Sequence, residues 1–325
     1  MNKKIKQDFK VLQNIFKNAR TKKHTCLICE ENSINSHLLQ KNGILNLISD
    51  NNHITQIKGN DFFKAEKEGI IGVKSVGINN AMSYPLFCNS HDTDVFTPIE
   101  LEEHNLEEYK SQLLFSYRSL CAEVRKKIIN IDIFERVKNS SQFVINTHLL
   151  DLAKSQIEAN NMGIQDLNWY KNIMESEINN SFITQDFIFE KIDFDFIPIS
   201  ASAVYSPLNP SEHTIEVLKN PENILNYLFI NLIPQEGKIS LIIGYHKSKS
   251  DKWILEYICS WKNLIQLDFE LKLTDLFATK IETWAISPDF WNKLEPKNIK
   301  AFKEYWNEHA TDLRVTQSVD FNLFE

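Results

Sequence analysis

The stretch Leu228-Phe-Ile-Asn-Leu-Ile-Pro-Gln-Glu-Gly237-Lys238-Ile-Ser-Leu-Ile-Ile-Gly-Tyr245 sets the fold class. Two apolar runs, Leu228 to Ile233 and Ile239 to Tyr245, flank Pro234-Gln-Glu-Gly237-Lys238, which is the signature of an antiparallel hairpin. Upstream, Phe187 and Phe189, then Ile192, Phe194 and Phe196, alternate with polar residues and predict strands. Downstream, Trp253, Leu255, Tyr257, Cys259 and Trp261 alternate again. Ile265, Leu267, Phe269, Leu271 and Leu273 repeat the pattern, with Gln266, Asp268, Glu270 and Lys272 between them. Successive strands with short joins predict an antiparallel meander. Two helices close the chain, one begun by Ser287-Pro288 and one spanning roughly 296–309.

Before residue 181 the apolar period is helical. Leu106, Tyr109, Leu113, Tyr117, Leu120 and Val124 form one buried stripe. Thr97 suits its cap and Pro98 its first position, with Glu100, Glu102 and Glu103 at the positive end of the helix dipole. Two more helical segments are expected near 142–159 and 164–178, with Gly163 between them. The chain therefore reads as α+β in three parts: an amino-terminal unit (1–97), a helical middle (98–180) and a carboxy-terminal domain of antiparallel meander with helices (181–325).

Composition narrows the function classes. The chain has 325 residues, 42% of them apolar and 24% charged, which excludes a disordered tail, a collagen-like fibre and a disulfide scaffold. Only 8 residues are glycine, and neither G-x-x-x-x-G-K nor G-x-G-x-x-G occurs, so a P-loop or Rossmann nucleotide site is not expected. No apolar run approaches the ~20 residues that cross a bilayer. Met1 to Lys10 is too polar for a signal peptide. Five cysteines, with one C-x-x-C pair, fit a reduced cytoplasmic setting and a metal site.

Net charge is −7, unevenly spread: residues 1–25 carry +7 and the remainder −14. A basic arm on an acidic body fits an anionic partner such as nucleic acid. The same arm also reads as a solvated helix face, because Phe9, Leu12, Ile15 and Phe16 recur at helical spacing.

The strongest chemical signal is Cys26-Leu-Ile-Cys29 with Cys88-Asn-Ser-His91. Two x-x-spaced pairs can bite one tetrahedral Zn²⁺ through three thiolates and an imidazole. Between them lies Asn35-Ser36-His37-Leu38-Leu39. A histidine soon after a C-x-x-C knuckle, then a second pair leading into a helix, resembles the zinc-bearing HNH endonucleases over residues 24–97. The resemblance implies a treble-clef, ββα-metal unit. It implies that His37 is the general base against a phosphodiester. Cys26, Cys29, Cys88 and His91 would hold structural zinc, and a catalytic Mg²⁺ or other divalent ion would sit near Asp92 or Asp94. Ser36 stands where that family has an acidic or histidine ligand, and its asparagine is absent at Ser83, with Asn79 and Asn80 nearby.

A second grouping, Asp268, Glu270 and Lys272 on one predicted strand face with Asp251 upstream, is similar to PD-(D/E)-x-K nucleases, or is simply alternating charge on a wet strand. The sequence thus implies a zinc-binding protein acting on nucleic acid, and its layout resembles phage-defence or mobile-element components. The alternative is a non-catalytic zinc-stapled scaffold or sensor that binds another protein. No membrane partner is expected, and the sequence leaves oligomeric state open.

Overall fold

The computed structural model describes residues 3–60, 62–101, 105–143, 146–206, 220, 223–309 and 319–325. Glu102 and Glu103 lie outside them. Two sheets are present among these residues. In the smaller, β1 (Asn35–His37) pairs antiparallel with β4 (Ser83–Pro85), placing Ser36 opposite Tyr84. The larger is a seven-stranded antiparallel sheet in the order β3-β2-β9-β6-β7-β8-β5. Its members are β2 (His53–Gly59), β3 (Ile71–Gly77), β5 (Phe187–Asp195), β6 (Ile199–Tyr205), β7 (Leu228–Gln235), β8 (Lys238–His246) and β9 (Trp284–Ile286). It draws strands from both ends of the chain, since β2 pairs with β9 at Thr55↔Ile286.

The hairpin forms at the expected place. Gly237 takes a φ of 75°, in the left-handed region that glycine tolerates, and the β7–β8 register runs from Gln235↔Lys238 to Phe229↔Gly244. Apart from the buried Asn231 and Ser240 the two runs are apolar, because both faces of the central strands are covered. Phe229, Ile233 and Ile242 join one core, and Leu228, Ile230, Leu241 and Ile243 join the other.

The first face packs against two long helices, α4 (Tyr109–Lys138) and α5 (Thr147–Asn179). A buried polar thread runs through it: Ser202 Oγ donates to Asn231 Oδ1 at 2.8 Å, and Asn231 Nδ2 donates to Ser116 Oγ of α4 at 3.4 Å. The second face is closed by α6 (Lys252–Cys259), α7 (Gln266–Thr279), α8 (Pro288–Lys293) and α9 (Pro296–His309), around Trp261, Phe269, Phe277, Trp284 and Phe302. The amino-terminal helix α1 (Lys3–Thr21) lays Ile15, Phe16 and Ala19 against Ile129 and Ile133 of α4, leaving Lys4, Lys6, Lys10 and Lys17 exposed.

Several local expectations are corrected. Residues 253–261 and 265–273 are not strands: 253–259 lie in α6, 266–273 lie in α7, and Ser260, Trp261 and Ile265 fall in the connection between them. Their alternating apolar residues are also spaced by four, and the helix selects that period: Phe269 and Leu273 are fully buried while Leu267 and Leu271 are 54% and 39% exposed. Asp268, Glu270 and Lys272 therefore do not share a strand face. Glu270 accepts from Gln266 Nε2 and Asn322 Nδ2, and Lys272 Nζ sits 4.9 Å from the Trp261 ring centroid.

Gly163 does not separate two helices, because it lies within α5. A Cβ there would come within 2.8 Å of Lys127 Cε, so a larger residue would have to displace the end of that side chain of α4. Thr97-Pro98 does not begin a helix either: it lies near the end of α3 (Asn89–Glu100), which stops two residues after the proline.

Candidate metal centre and adjoining cleft

Two backbone segments converge to build the centre. Cys26 and Cys29 lie on a tight turn closed by a bridge between Thr25 and Asn32 and by Cys26 N donating to Glu31 O at 2.7 Å. Cys88 precedes α3 and His91 falls in its first turn. Leu27 N donates to Leu86 O at 2.9 Å and Ile34 N to Phe87 O at 2.7 Å, which locks the two segments side by side.

The four ligand atoms of Cys26, Cys29, Cys88 and His91 all lie within 4.8 Å of one another, close enough to hold one metal ion. Cys29 Sγ is 3.8 Å from Cys88 Sγ, and Cys26 Sγ is 3.6 Å from His91 Nδ1. A tetrahedron with Zn–S of about 2.3 Å and Zn–N of about 2.05 Å has S···S edges of about 3.8 Å and S···N edges of about 3.6 Å. Those two spacings fit. The third, Cys88 Sγ to His91 Nδ1, is tighter at 3.1 Å.

The thiols are electrostatically unequal. Burial pushes Cys26 up, but backbone amide hydrogen bonds from Ile28, Cys88 and Cys29 outweigh it and hold the thiol at about 7. For Cys29 the hydrogen bond with the Glu31 backbone lowers the value, but desolvation and the neighbouring Cys26 and Cys88 sulfurs raise it to about 11. A cation placed among the three sulfurs relieves that crowding of negative charge.

Beside this centre lies a cleft of about 290 Å³ lined by His37, Asp92, Glu100 and Arg118, together with Gln40, Lys41 and Asn42. His37 ends β1, and its Nε2 bonds the carbonyl oxygen of Ile78 at 3.0 Å. A carbonyl only accepts, so Nε2 carries the proton and Nδ1 keeps the lone pair. Burial is the main cause that lowers the pKa of His37, with Lys41 and Arg118 adding to it, so the ring is neutral at pH 7. Ser36, its neighbour on the strand, points to the opposite face and is fully buried, its Oγ lacking a hydrogen-bond partner.

Asp92, in the first turn of α3, reaches this cleft. Its Oδ1 has no hydrogen-bond partner and stands 3.6 Å from Arg118 Nη2. Asp94 does not line the cleft. It is exposed and accepts from Ser90 Oγ at 2.8 Å. Arg118 was not singled out by its spacing or motif. Its side chain is 2% exposed, bonds Glu100 through Nη1, lies 4.2 Å over the Phe96 ring and leaves Nε unpaired. The only sequence signal is an arginine inside the apolar stripe of α4, between Tyr117 and Leu120.

Among the described residues no helix is long and apolar enough to cross a membrane. No protein-family model matches the chain, and no curated protein or solved structure is significantly similar to it.

Proposed function

We propose that this is a zinc-stapled protein that acts on nucleic acid as a divalent-cation-dependent phosphodiesterase of HNH-like type, with His37 as general base. Cys26, Cys29, Cys88 and His91 hold the zinc in a closed shell that ties the two knuckles together and leaves no position for substrate. One observation carries the catalytic part: His37, whose Nε2 is held by Ile78 so that Nδ1 keeps its lone pair, and Asp92, whose Oδ1 makes no hydrogen bond, line the same cleft. A neutral imidazole held in one tautomer by a backbone carbonyl is ready to take a proton from water. Asp92 offers the hard oxygen ligand, and a divalent ion held there would polarise the phosphoryl oxygen. The order knuckle, β1, β4, knuckle and α3, with β2 and β3 of the larger sheet inserted between β1 and β4, supports the HNH-like reading. The exposed lysines of α1 support a polyanionic partner.

One observation favours the second reading, a scaffold that binds another protein. The Arg118 guanidinium already partners Asp92 and Glu100, where a divalent cation would need their charge.

The test is His37→Ala. A lost general base costs roughly 10²–10⁴-fold in rate. Divalent-dependent cleavage of DNA or RNA should therefore collapse while zinc content stays at the wild-type level and the melting temperature falls by only the few degrees that the lost bond to Ile78 costs. A variant that cuts as fast as the wild type removes His37 from the chemistry. A wild type that cuts neither DNA nor RNA with any divalent ion leaves the scaffold reading in its place.

A further inference from the structure

Arg118 comes from α4, outside the zinc-bearing segment, yet it forms a wall of the cleft. We infer that this cleft is a subsite for the phosphate of a single nucleotide unit, with Arg118 and Lys41 as its anion ligands and Glu100 as the carboxylate that the phosphate displaces. The inference rests on the reading of the cleft as the site of action and adds to it the size and charge of what enters.

Three features carry it. First, Arg118 is almost wholly buried but incompletely satisfied. Nη1 holds Glu100, the Nη2 contact to Asp92 is 3.6 Å and beyond hydrogen-bond length, and Nε has no partner. A planar guanidinium matches two oxygens of a phosphate, and leaving its donors unmade in a buried place is costly. Second, its present partner is easily released. Glu100 is the last residue of α3 and its side chain is 39% exposed, so it regains water when it lets go. Gln40 bonds the backbone carbonyl of Glu100, so the helix end stays in place when the carboxylate leaves. Third, the space is small. About 290 Å³ lies just below the ~300–1,000 Å³ typical of small-molecule sites. It accommodates one nucleotide and not a duplex. With His37 neutral, Lys41 and Arg118 balance Asp92 and Glu100 in formal charge, and release of Glu100 makes the pocket cationic where the phosphate sits.

The experiment is calorimetric titration of the full chain without divalent cations. The probes are inorganic phosphate, a 5′-mononucleotide, and a short single-stranded oligonucleotide with and without its 5′-phosphate. Saturable phosphate binding is expected in the millimolar range, with tighter binding of the mononucleotide. Glu100→Gln removes the competing carboxylate and should tighten both by about three- to tenfold. Lys41→Ala should weaken both by a similar factor. Preference for the free nucleotide or for the phosphorylated strand end identifies the source of the phosphate.

A Glu100→Gln chain that binds no tighter than the wild type overturns the inference, as does the absence of saturable binding of both phosphate and mononucleotide. A purely structural Arg118–Glu100 pair predicts no gain on Glu100→Gln. The same titration on His37→Ala separates the two readings. Retained binding without cleavage supports both, and a wild type that binds with the expected charge pattern but never cuts refutes only the hydrolysis.

Discussion

Cys29→Ser isolates the contribution of the metal to folding. Cys26 and Cys88 are buried in the main core, so replacing either would disturb packing as well as ligation. Cys29 is only partly buried, and serine keeps its size while offering a poor ligand to zinc. The magnitude follows from the loop that the metal closes. Cys29 and Cys88 are 59 positions apart. If the metal bridge restricts the unfolded chain as a covalent cross-link does, closing such a loop is worth about 4 kcal/mol. Unfolding entropy of about 2.1 cal/mol/K per residue amounts to about 0.7 kcal/mol/K over this chain. The melting temperature should then fall by about 6 °C if the chain unfolds cooperatively. The assay pairs elemental analysis, expected to give about one zinc per wild-type chain and far less in the variant, with calorimetry. Chelated wild type should melt close to the untreated variant. A variant that keeps its zinc, or that loses zinc with a melting shift below about 2 °C, refutes the claim that Cys29 joins a metal staple across this loop.

Two further outcomes test the fold. His246 accepts from Ser248 N at 3.1 Å through Nδ1, with its ring against Trp169 and Phe187. Burial lowers its pKa from 6.5, so the folded state favours the neutral ring. That stability is present above pH ~6.5 and is lost as pH falls through the folded value, by up to about 1.4 kcal/mol per pH unit. Asp166, pushed up to about 6 by burial, opposes the trend below pH 6 by taking up a proton in the folded state. The urea midpoint should drop from pH 7 to pH 5.5. His246→Asn, which keeps an acceptor at the same place, should flatten that drop, and an unchanged slope counts against the assignment. At Gly244, opposite Phe189 in the β5–β8 register, a Cβ would stand 2.6 Å from Phe189 Cδ1. Gly244→Ala should therefore cost about 1–3 kcal/mol in denaturant unfolding, and a variant as stable as the wild type contradicts this packing.

Legibility in the sequence followed the range of each signal. The hairpin at 228–245 could be read because turn and flanking runs are contiguous, and the four metal-ligand candidates because each pair is a local x-x motif. The amphipathic stripe of α1 was likewise readable, since Ile15 and Phe16 pack where helical spacing puts them. Residues 253–273 misled because five alternating apolar residues satisfy a two-residue and a four-residue period together. Only the buried partners Trp261, Phe277 and Trp284 decide between them. Gly163 misled for a related reason: a glycine that breaks a helix and one that leaves room for a neighbouring side chain look the same in sequence. Half of the cleft was invisible, because Arg118 reaches Asp92 and Glu100 across a chain turn that no periodicity encodes.

The helix that supplies Arg118 also supplies Arg125, seven positions on and so on the same face two turns away. Arg125 Nη2 donates to the carbonyl of Thr25, and its Nη1 lies 3.4 Å from His24 Nδ1. An arginine has no acceptor, so His24 presents its lone pair there and stays neutral, its pKa lowered first by burial and then by Arg125. Arg125 thus holds the segment entering the first knuckle, and Arg118 faces the helix leaving the second through Asp92 and Glu100. Apolar side chains at both positions would often pack as well or better, because burying two guanidiniums carries a desolvation cost that ion pairing need not repay. What the arginines add is directional hold. They tie the metal-bearing segment to α4, Arg125 at Thr25 and Arg118 at Asp92, and through α4 to the sheet. The electrostatics of the site are therefore written largely on a helix that lies beyond the motif.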